Sequence, residues 1–111
     1  MTRWNLASTD SQVVLTVDED DSNGAMSGTL QAHGTTFQVK GAWSASGSVP
    51  GRNASAFAIS GNDGLAAPTW VSASGIMVGP GAAPQSIEIQ IDVATPAGAL
   101  IPYQAELLPH A

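Results

Sequence analysis

Few residues in this chain are of a type that does chemistry. Only two histidines occur, His33 and His110. A nucleophilic mechanism needs a base within hydrogen-bond reach of the nucleophile and a third group that orients the base. His33 falls in the turn signal His33-Gly34 and His110 is the penultimate residue, so neither marks such a base. The chain has no cysteine, which excludes thiol catalysis, thiolate metal sites and disulfides. Paired-carboxylate hydrolysis needs two acids across a cleft. Glu88 and Asp92 lie instead on one strand face, about 13 Å apart at strand rise. The expectation is a protein that is not an enzyme and carries no cofactor.

Metal chemistry has one weak candidate. Asp18, Asp20 and Ser22 alternate ahead of Gly24, faintly like a calcium loop, whose pattern wants Gly at its sixth place and Glu at its twelfth. Counted from Asp18, those places hold Asn23 and Thr29. The acidic run Asp18, Glu19, Asp20 and Asp21 therefore reads first as a solvated turn.

Charge narrows the partners. Nine acidic residues against three basic ones give a formal net charge of -6. The cations Arg3, Lys40 and Arg52 are scattered, whereas phosphate binding needs them clustered. Nucleic acid and anionic membranes are thus excluded as expected partners, leaving a small molecule, a glycan or a protein. The opening Met1-Thr2-Arg3-Trp4-Asn5 lacks the apolar stretch of a secretory signal, which favours a cytoplasmic location.

The elements that must position these residues read as strands. At 111 residues and 43% apolar, the chain fits a single domain, residues 1–111. In Ser86-Ile87-Glu88-Ile89-Gln90-Ile91-Asp92-Val93 the apolar residues alternate with polar ones. Successive strand side chains point to opposite faces, so the isoleucines share one side. The same alternation runs through Gln12 to Asp18, Ala25 to Ala32, Thr35 to Ser44, Ser55 to Ser60, Trp70 to Val78 and Ile101 to Leu108, after a first strand from Arg3 to Ala7. Asn23-Gly24, His33-Gly34 and Asp63-Gly64 supply hairpin turns. Pro102 has no backbone donor and is expected at an edge or a strand start. The fold class is therefore all-β, an antiparallel up-and-down meander of about eight strands closing into a barrel. A two-sheet β-sandwich is the alternative.

Several segments carry a resemblance. Trp4-Asn5 followed by Gly24-Ala25-Met26-Ser27-Gly28-Thr29, then Lys40-Gly41-Ala42-Trp43 and Thr69-Trp70-Val71-Ser72-Ala73-Ser74-Gly75, resembles the avidin-like barrel family across most of the chain. The resemblance implies an eight-stranded barrel with a ligand site at its mouth. It departs at the ligand: the family has a Tyr just after Gly-Thr where this chain has Leu30, and isoleucines occupy Ile87 to Val93 where the family has tryptophan. Asn5, with Ser8 or Ser11, is of the type that contacts a ureido ring in that family, at a spacing from Trp4 that is not the family's. A second segment, Val13 to Val17 with Gly28-Thr29-Leu30, looks like a hairpin of the cyanobacterial high-mannose agglutinins, although their Trp-Gly-Gly sugar motif is absent.

An eight-stranded barrel is just wide enough to be filled by side chains or to hold one small ligand. The inward faces mix large residues with small ones such as Gly28, Gly41, Ala73, Gly75 and Ala105. Small against large gives a solid core, and small against small gives a cavity. For a cavity, Trp4, Trp43, Trp70 and Tyr103 are the expected walls. Arg52, in the loop 45–54, is the candidate loop contact. The expected function is a non-enzymatic binding or interaction module, with a small molecule at the barrel mouth. The alternatives are a homo-oligomer or protein partner held through the strand Val71 to Gly75 and outward residues such as Val14, or a lectin-like domain reading sugar with Trp70.

Overall fold

A computed structural model describes residues 2–20, 23–44, 54–79 and 84–110. Eight strands follow in order: β1 (Thr2–Ala7), β2 (Val13–Glu19), β3 (Ala25–Ala32), β4 (Thr35–Trp43), β5 (Ala54–Asn62), β6 (Trp70–Val78), β7 (Ser86–Ala94) and β8 (Leu100–Pro109). Each pairs antiparallel with the next, and β8 returns to β1 to close a barrel. The sandwich alternative is set aside by that closure.

The strands form where the alternation expects them. On β2 buried and half-buried residues alternate without a break, and on β7 Ile87, Ile89, Ile91 and Val93 all face inward. Most ends fall within one residue of expectation, and the largest difference is at β5, which runs on past the expected end at Ser60 through Gly61 and Asn62. Gly61 has no side chain because the wall is tight there. A Cβ at that position would strike the carbonyl oxygen of Gln38 on β4. The β3–β4 turn is the two-residue hairpin expected of His33-Gly34, with positive φ at both positions (49° and 91°).

The interior is packed rather than hollow at its middle. Gly28 lies between Val17 and Val39, Gly41 between Met26 and Ile59, Gly61 between Val39 and Val71, and Gly75 between Phe57 and Ile89. Each missing side chain thus has larger ones beside it, and the inward residues around it are almost fully buried. Trp4 shares a register row with Val17, Gly28, Val39 and Gly61, and those two glycines make room for the bulkiest side chain of the core.

Closure is uneven. The seam between β1 and β8 consists of Leu6 opposite Pro109 and Ala7 opposite Leu108, extended by the amide of His110 donating to the Asn5 carbonyl. Following the register from Thr2 round the barrel returns the ladder about ten residues along the chain, a stagger that tilts strands by roughly 35–45°. Pro102 pairs with Asp92 on β7 and lies beyond the short seam, the edge position expected of it.

Candidate functional site

Three places gather the groups that could hold a partner. The first is the barrel end where β2 and β4 finish. Trp4 and Trp43 meet there edge to face, with centroids 5.8 Å apart and planes at 60°. They come from β1 and β4, and both hold inward-facing positions, as expected of two residues named as walls of a pocket. Glu19 is fully buried at the same end, paired in register with Met26. Ser55 is buried opposite Met77. The indole Nε1 of Trp43 is buried and has no hydrogen-bond partner among the described residues. The placement of Glu19 corrects the reading of the acidic run as a solvated turn. Its position continues the inward row of Val13, Leu15 and Val17, so the strand, not the turn, claims it. That parity was visible in sequence and was masked by the neighbouring acids.

Of the weak metal candidate, Asp18 is engaged elsewhere. Arg3 lies directly opposite it on β1 and donates Nε and Nη2 to its two carboxylate oxygens at 2.9 and 3.1 Å. That fork depresses the carboxyl pKa of Asp18 and raises that of Arg3. Ser22 lies outside the described residues, as does Arg52. Among the described residues no group of three or more acidic or histidine side chains is placed to hold a metal ion.

The second place is the opposite end, beside the open part of the seam. Tyr103 is half buried on β8 and stacks on the His33 ring, centroids 3.9 Å apart. A notch of about 260 Å³ runs between them and the β1–β2 turn, lined by residues including Ser8, Asp10, His33 and Glu106. Serine, histidine and carboxylate do converge here. Their hydrogen bonds do not form a relay: Ser8 Oγ donates to Asp10 Oδ1 at 2.7 Å, the Gln12 amide donates to the same oxygen at 3.1 Å, and the Val13 amide donates to Ser8 Oγ at 3.0 Å. A base must bond its nucleophile, and here the hydroxyl's proton goes to the carboxylate. The arrangement braces a turn in which Ser11 takes a positive φ.

The third place is the outer wall. Trp70 and Asn5, expected beside a ligand, both stand on the outside of the barrel, so the structure brings together only Trp4 and Trp43 of the aromatic set, with Tyr103 at the far end. Trp70 begins a strand whose exposed side also carries Ile76 and Val78, at 53%, 49% and 41% exposure respectively. Alongside, a shallow groove of about 520 Å³ crosses β6, β7 and β8, with Ser74, Ile76, Glu88, Gln90, Gln104 and Glu106 on its walls. Gln104 donates to Gln90 at 2.6 Å across its floor.

The outward positions of β5 and β6 form one continuous face. Ala54, Ala56, Ala58, Ser60 and Asn62 lie beside Val78, Ile76, Ser74, Ser72 and Trp70 in register. None of the ten is charged. No family model, no curated protein and no solved structure matches this chain.

Proposed function

We propose that this protein is a non-enzymatic interaction module that self-associates through the outer face of β5 and β6. The observation that carries this reading is the uncharged, partly apolar character of that face on a chain of net charge -6. Acidic copies repel one another elsewhere, and close approach costs least where no carboxylate must be desolvated. Three of the six large hydrophobics exposed among the described residues, Trp70, Ile76 and Val78, lie on this face, the others being Leu65, Leu100 and Leu108. Two strands of this length with their flanks cover on the order of 500 Å² per copy, the size of a weak, reversible contact. Sedimentation equilibrium tests it: a dimer that Ile76→Lys converts to a monomer is the expected result, and a wild-type monomer at millimolar concentration refutes it.

A second reading, a small molecule at the barrel mouth, is favoured by Trp43. A buried indole N–H without an acceptor costs free energy, and a ligand oxygen seated beside Trp4 and Trp43 would supply one. Ligand-induced change in tryptophan fluorescence, lost in Trp43→Phe, is its signature.

A further inference from the structure

We infer that the second copy docks about a two-fold axis running along the strands between β5 and β6, with Lys40 of each copy facing Asp92 of the other. The inference rests on the self-association reading above and fixes its geometry. Two stacked copies of this face with their strands aligned can obey two-fold symmetry in two ways. An axis along the strands lays β5 of one copy over β6 of the other. An axis across the strands lays β5 over β5 and β6 over β6.

Side-chain size separates them. In register, Ala54 sits beside Val78, Ala56 beside Ile76 and Asn62 beside Trp70. The smaller partner is on β5 in each of these pairs. With the axis along the strands, each row meets its own copy reversed, so Ala56 receives Ile76 and Ala54 receives Val78. Large against small is the condition for dense packing. With the axis across the strands at the middle of the face, the rows reverse: Trp70 meets Val78, bulk against bulk on β6, while Ala58 meets Ala58 and Ala56 meets Ser60 on β5.

Charge makes the same choice. Lys40 on β4, Ser60 on β5, Ser72 on β6 and Asp92 on β7 form a single register row on the outer surface. Within one copy Lys40 and Asp92 are three strand spacings apart, about 14 Å, so they do not pair. Arg3 is matched to Asp18, whereas Lys40 makes no ion pair or hydrogen bond among the described residues. The axis along the strands carries β4 over β7 of the second copy and sets each Lys40 toward an Asp92, twice by symmetry. The axis across the strands sets β7 over β7, opposing Glu88 and Asp92 of one copy to those of the other.

The test exploits complementary charge reversal. Lys40→Asp alone places two carboxylates at each rim contact, and Asp92→Lys alone places two ammonium groups there. Each variant alone is expected to dimerise about three- to tenfold more weakly than wild type. Mixed in equal amounts, they form a heterodimer in which both rim contacts are of opposite sign, and dimerisation recovers. Because the chain has no cysteine, a second readout is clean: Ala58→Cys mixed with Ser74→Cys, a register pair, crosslinks on oxidation, and Ala58→Cys alone does not. If wild type dimerises and Ile76→Lys abolishes the dimer, yet mixing restores nothing and Ala58→Cys crosslinks to itself, the orientation is wrong and the interface stands. A wild-type monomer removes both.

Discussion

Single residues show where local chemistry is set. The Asp10 carboxyl lies below its ordinary pKa, chiefly because Ser8 Oγ donates to it and secondarily because the Gln12 amide does. A depressed folded-state pKa means that ionised Asp10 stabilises the β1–β2 turn at pH values above its unfolded pKa. That stabilisation is lost as the pH falls from the ordinary carboxylate value through the lower folded one. Ser8→Ala removes the larger cause, so the Asp10 midpoint followed by NMR titration should move up toward the ordinary value. An unmoved midpoint would show that the amide alone holds the charge. Glu19 illustrates the limit of reading such residues from type. Acidity in a run of acids speaks for solvent, while the alternation of Val13, Leu15 and Val17 speaks for the interior, and the closed wall decides for the interior. Trp70 fails in the other direction. Its aromatic character fits a pocket wall, but it opens β6 on the outward parity, one residue before buried Val71.

At the scale of the strands, alternation carried most of the information. It identified all eight strands and the inward face of most, because a period of two is a property of the chain that no packing partner can alter. What it could not supply was the register, and hence which small residue faces which large one. Gly61 makes the point: alternation ends the strand before it, and only pairing with Val39 and Val71 shows it as the gap that β4 enters. Gly61→Ala would press a methyl into the Gln38 carbonyl, where backbone rather than a movable side chain must yield. The expected cost is about 2–4 kcal/mol in urea unfolding. Gly34→Ala offers the contrast, since a Cβ there meets nothing within 4 Å and the penalty comes from its φ of 91° alone. That cost should stay near 1 kcal/mol, on the order of the left-handed strain of one residue.

For the whole molecule, closure into a barrel leaves only the short β1–β8 seam to hold the first strand to the last. The barrel wall is the element both readings of function share, and sequence could not say which side of it meets the partner. The packed interior and the uncharged outer face of β5 and β6 favour the outside. If the folded chain associates and the unfolded chain does not, mass action ties stability to concentration. For a micromolar dimer of a chain this size, raising the protein from about 1 to about 100 μM should lift the melting temperature by roughly 5–10 °C. Ile76→Lys should melt at one temperature across the same range, because its monomer gains nothing from crowding its own kind. Equal slopes for the two proteins would mean that the exposed face of β6 has no share in the association, whatever the mass observed in the centrifuge.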